Sequence, residues 1–86
     1  MCRNITTLRG LEPDATVDEI EAAARQYVRK VTGVQKTSAA TEDPFEQAVA
    51  IIAEATAQVL SELPPRKVPP KTVPPLRRPS VIARNA

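Results

Sequence analysis

The sequence predicts an all-α protein: an antiparallel two-helix hairpin with a short N-terminal strap or turn and an extended, proline-rich C-terminal tail. Three observations carry this reading. Two stretches, about 17–32 and 44–63, space their apolar residues for one face of a helix, and each opens on cap residues. A connection of about eleven residues joins them, short enough for an antiparallel pair. Proline pairs then begin abruptly at Pro64-Pro65 and recur to the end of the basic region.

Residues 1–13 place Ile5, Leu8 and Leu11 three apart, with Gly10 and Pro13 interrupting. That spacing suits one helical turn or an extended strap, with residues 5–11 covering one side of the hairpin.

The first helix, about 17–32, is expected to start at Thr16. Thr16-Val17-Asp18-Glu19 fits a capping box, in which the threonine hydroxyl and the glutamate each satisfy a backbone amide. Asp18, Glu19 and Glu21 also suit the positive helix start, and Arg29 and Lys30 the negative end. Val17, Ile20, Ala24, Tyr27, Val28 and Val31 form the apolar stripe, which assigns Tyr27 to the core. Gly33 is placed to end the helix in a left-handed conformation.

The second helix is expected from Pro44, with Asp43 as its cap and Glu46 in its first turn. Phe45, Val49, Ile52, Ala55, Val59, Leu60 and Leu63 make its stripe, and Pro64-Pro65 stops it. Ile51 falls off that stripe and suggests a second apolar strip, a seam for a homodimer or another docking face.

After residue 63 the chain changes character. Pro64-Pro65-Arg66-Lys67-Val68, Pro69-Pro70-Lys71-Thr72-Val73 and Pro74-Pro75-Leu76-Arg77-Arg78 repeat every five residues. This composition favours polyproline II over a packed core. Fully extended at ~3.1 Å per residue, residues 64–79 would reach on the order of 50 Å. Two regions follow: a helical domain, 1–63, and a basic tail, 64–86, extended or disordered when free. Charge divides the same way. Residues 1–65 hold six basic and ten acidic side chains, a net −4, while 66–86 hold six basic and no acidic ones. A basic tail of this kind seeks an acidic protein face, RNA or, less readily, anionic lipid.

Composition narrows the chemistry. One cysteine cannot form an internal disulfide, and without histidine a zinc site would need other ligands, so neither metal nor cofactor is expected. No leader-like apolar run and no membrane-length segment is visible, which predicts a cytoplasmic protein not held in a membrane. Catalysis is not expected, because no positioned base or cofactor motif accompanies a nucleophile.

Cys2 is the candidate reactive thiol, beside Arg3, with an incidental or packed thiol as the plainer reading. Arg25, Arg29 and Lys30 are candidates for partner or phosphate contact. Arg25 and Arg29 share a face, and Glu21 lies four residues before Arg25, so a solvated face with one ion pair is the plainer reading. In the tail, Arg66, Lys67, Lys71, Leu76, Arg77 and Arg78 are the candidate partner contacts. No strict Pro-x-x-Pro occurs, and no aromatic is present for base stacking, so RNA contact would be to phosphate alone.

Met1-Cys2-Arg3-Asn4-Ile5, the stretch Ala22 to Gly33 containing Tyr27-Val28-Arg29-Lys30, and Ser38-Ala39-Ala40 before Phe45 resemble a small bacterial family. That family is catalogued as a conserved domain of unknown function, and its members begin Met-Cys-Arg-Asn-Ile. The resemblance covers about residues 1–63, leaves the proline repeat as an attachment, and implies no catalytic residue. The function expected is a non-catalytic accessory protein, docking on a larger protein assembly through its helical face and basic tail. RNA or ribosome association through the tail is the alternative, and a redox or metal role at Cys2 the weaker one.

Overall fold

A computed structural model describes residues 3–66, 68–70 and 72–78. Two helices, α1 (Val17–Thr32) and α2 (Glu42–Glu62), pack as a hairpin, and a 3-10 turn spans Pro75–Arg77. No strand occurs among the described residues.

α1 begins and ends where the sequence places it. Thr16 is extended, its hydroxyl accepts the Glu19 amide at 3.1 Å, and its own amide donates to Glu19 Oε1 at 2.8 Å. Gly33 has φ +76°, and its N–H donates to the Arg29 carbonyl at 2.9 Å, closing the last turn.

α2 departs from expectation at its start. It begins at Glu42 rather than Pro44, and Asp43 lies inside the first turn instead of capping it. A turn over 38–41 leads in: the Glu42 amide donates to the Ser38 carbonyl at 2.9 Å, and the Ser38 amide to Thr41 Oγ1 at 2.8 Å. The first turn of a helix has no intrahelical partner for its amides, so a proline fits at any of several positions there. Pro44 therefore locates the turn but not the residue. At the other end Leu63 is extended, as a residue before proline prefers, and the helix stops at Glu62.

The core has two parts. Ala24 and Val28 meet Phe45 and Val49, with Val34, Ala48, Ile52 and Ala53 around them. Leu8 and Leu11 from the strap close over Ile20, with Ala15, Ala53 and Leu60 beside them. Ile20, Ala24 and Val28 on α1 and Phe45 and Val49 on α2 are buried as expected, but the rest of each stripe is at least partly exposed. Val17, Tyr27 and Val31 on α1 and Val59 and Leu63 on α2 are exposed. Tyr27, expected in the core, is 50% exposed. The strap and the facing helix cover only part of each stripe, so a periodic stripe overstates the buried area.

The strap is fastened at both ends. The Asn4 amide donates to Gln26 Oε1 on α1. Further along, the Arg9 guanidinium donates to the Pro64 carbonyl through Nε at 2.9 Å and Nη2 at 2.5 Å. Gly10, at φ +89°, lies under Arg66, where an added Cβ would come within 2.9 Å of the Arg66 Cβ. Gly10→Ala should therefore cost about 1–2 kcal/mol for the left-handed backbone, plus the displacement of Arg66. Gly33→Ala, with open space around it, should carry the backbone part alone. Thermal unfolding of the two variants checks this, and equal losses would mean that Arg66 does not press on the strap.

Candidate docking site

Two surfaces lie at the edges of the hairpin. One is an apolar groove of about 290 Å³ between the strap and the helices. Ile5 and Leu8 form one wall, Ala23 and Tyr27 another, and Ile52 and Leu60 a third. Thr6 also lines it, and Thr6 Oγ1 is buried with no hydrogen-bond partner among the described residues. Thr56, on the same lining, donates its hydroxyl to the Ile52 carbonyl at 2.7 Å, so its polar atom is satisfied within the helix.

An exposed apolar row on α2 extends this surface. Ile51, Ala55 and Val59 succeed one another at four-residue intervals, and Ile51 and Val59 are 58% and 47% exposed. Ala55 lies three residues from Ile52 and Val59 three from Thr56, so the row neighbours the groove lining on the helix surface. The off-stripe Ile51 noted in the sequence is thus part of a strip. α2 carries Glu42, Asp43, Glu46, Glu54 and Glu62 and no basic residue.

The second surface is the seat of the tail at the start of α1. From Pro64 to Val73 most described tail residues are exposed, but Pro74 and Pro75 are buried. The turn that follows is held by Arg77 N–H to the Pro74 carbonyl at 2.9 Å and Arg78 N–H to the Pro75 carbonyl at 3.1 Å. Arg77 then meets Glu19 twice, Nε to Oε2 at 2.5 Å and Nη2 to Oε1 at 2.9 Å, and Nη2 also reaches the Asp14 carbonyl at 2.9 Å. The Glu19 side chain is only 2% exposed. The Arg77 bonds outweigh the opposing effect of burial and hold its carboxyl below the usual carboxylate range, helped by the bonds from Thr16.

The predicted site residues scatter accordingly. Arg77 is committed to Glu19, and Arg78 donates through Nε to the Val73 carbonyl at 3.0 Å. Arg66 is exposed above Gly10, and Leu76 is partly exposed beside Glu19 in the tail seat. Arg25 bridges Glu46 at 2.6 Å and Glu21 at 3.3 Å, so it carries two ion pairs where the sequence suggested one. Glu46 is held below its usual pKa chiefly by that Arg25 bond. Arg29 is partly buried, its Nε without a hydrogen-bond partner among the described residues, and Lys30 is exposed. Cys2, Lys67 and Lys71 lie outside the described residues. No cluster of potential metal ligands occurs among the described residues, and no helix there is long and apolar enough to cross a membrane.

Sequence reasoning read Glu19 as a cap and Arg77 as a free tail cation, and missed their pairing. They stand 58 positions apart, and only the charge split between body and tail hinted at such a contact.

Compared with protein families, residues 1–84 match the family described as "Uncharacterized conserved protein (DUF2277)". The chain belongs to this family. Comparison with curated proteins and with solved structures finds no match. The DUF2277 match runs through the proline repeats, whereas the resemblance read from the sequence ended near residue 63. The repeats are low in distinctive residues, which is why the resemblance faded there. In this DUF2277 protein the tail is part of the family's chain and not an attachment to it.

Proposed function

We propose that this protein is a non-catalytic accessory protein that docks on a partner protein through the strap–α1–α2 groove, with its basic tail directed to an acidic face of the same partner. The observation that carries the reading is the apolar groove continued by the exposed Ile51-Ala55-Val59 row. Contiguous exposed apolar surface on a small protein marks an interaction site more often than a chance feature. Tyr27 at its edge is the residue type that anchors interfaces, with a large apolar ring and a polar tip. The Thr6 hydroxyl on the same lining has no hydrogen-bond partner among the described residues, and a group that parts the groove walls can supply one. On the RNA alternative, Arg25 and Arg77 would first have to leave carboxylates.

The test compares capture by the full chain and by its Tyr27→Glu and Val59→Glu variants from native lysate, with and without nuclease. Both side chains are about half exposed, so circular dichroism should report unchanged helix. A discrete protein recovered by the parent and lost at least tenfold by both variants, regardless of nuclease, supports the reading. Equal recovery by all three sinks the groove as the docking site. Recovery abolished by nuclease favours RNA.

A further inference from the structure

We propose that the Arg77–Glu19 contact is a cis latch: Glu19 takes, within the chain, the place that a carboxylate of an acidic partner takes when the tail docks. This rests on the docking reading above and concerns how that docking is regulated.

Four features support it. Arg77 is gripped through two nitrogens by one carboxylate, the same fork that a partner's glutamate or aspartate would offer. The seat is local: the segment is shaped by its own turn, from Pro74 to Arg78, and by the Arg78–Val73 bond, so it can leave as a unit and keep its form. The arm behind it, Pro64 to Val73, is mostly exposed in its described residues, so opening peels away little else. Glu19 also has a second occupation. With Arg77 gone its Oε1 still accepts the Thr16 amide at 2.8 Å, and the cap keeps it from being an unpartnered buried acid. The opening therefore breaks one ion pair and the Arg77 bond to the Asp14 carbonyl, and exposes two prolines, a change that a competing carboxylate can offset.

While the latch is closed, Arg77 is withheld from any partner. A partner must outcompete Glu19, which makes tail docking conditional on a dense acidic surface and not on a single stray carboxylate.

The experiment measures binding of labelled poly-glutamate to the full chain at low salt by fluorescence anisotropy, for the parent, Glu19→Gln, Asp18→Asn and Arg77→Gln. Glutamine can serve at the third position of a capping box, so Glu19→Gln should stay folded, and circular dichroism checks it. We expect Glu19→Gln to bind about 5- to 10-fold tighter than the parent, and Arg77→Gln to bind more weakly. Asp18→Asn removes the same charge one residue away and should change affinity less than about twofold. In parallel, the Arg77 Nε–Hε resonance of the parent should shift as poly-glutamate is added, which tests the latch without any substitution at Glu19. Equal tightening by Asp18→Asn and Glu19→Gln would reduce the effect to net charge and overturn the latch. So would unchanged affinity in Glu19→Gln with an unmoved Arg77 resonance while poly-glutamate still binds. No binding by any of the four proteins would overturn the acidic-partner reading itself.

Discussion

Phe45→Ala should lower the unfolding free energy by about 3–5 kcal/mol, the usual cost of emptying a buried aromatic site. Phe45 is 6% exposed and, with Val49, forms the α2 half of the cluster against Ala24 and Val28. The Arg25 guanidinium carbon stands 5.9 Å from the ring centroid, adding a cation–π contact to the apolar packing. At 0.05–0.15 kcal/mol per residue a chain of this length holds roughly 4–13 kcal/mol in total, so this one truncation removes a large share. Urea unfolding followed by helical ellipticity checks it, with Phe45→Leu, which refills part of the site, as the milder comparison. A loss below 1 kcal/mol for the alanine variant would mean that the α1–α2 seam closes without this ring.

Glu19→Ala should cost about 2–4 kcal/mol, because one side chain serves two structures. Its removal opens the capping box at Thr16 and strands Arg77, whose side chain is 20% exposed. Glu19→Gln should recover part of the loss by restoring the cap alone. Acidity has a definite sign here. Glu19 has its pKa lowered in the folded chain, first by the Arg77 bond, from an ordinary value of 4.5. Its contribution is therefore fully present above that ordinary value and is lost as pH falls through the lower folded one. Glu46, lowered by Arg25, acts in the same direction. The melting temperature should fall on acidification below about pH 4.5, and fall less steeply in Glu19→Gln. Parallel acid profiles for the two proteins would show that Glu19 is not the titrating group.

Much of the fold was legible because its signals are local. The Thr16–Glu19 box, the Gly33 end and the Pro64-Pro65 stop each depend on residues within one turn, where backbone amides have few alternative partners. The start of α2 was two residues off for the same reason seen from the other side: a proline is equally welcome at several first-turn positions. Tyr27 was misplaced because periodicity reports which face of a helix is apolar, and not how wide a band of it is covered: Ala24 and Val28 are buried, and Tyr27 stands at the edge of that band. The candidate site was less legible. Ile51 stood out from its stripe in the sequence, but the groove beside it exists only because the strap crosses both helices at Ile5 and Leu8.

The sequence by itself determined the two helices, the caps of α1, the apolar faces that pair them and the acidic-body, basic-tail division, since each is written in spacing or charge along a few turns. The tertiary structure alone decided that the tail returns to the body, that Arg77 rather than a neighbouring cation finds Glu19, and that Gly10 must pass beneath Arg66. These contacts join positions 55–58 residues apart, and a carboxylate or glycine has no local feature that names so distant a partner. The choice falls to chain reach and to which buried acid remains to be satisfied once the hairpin has closed.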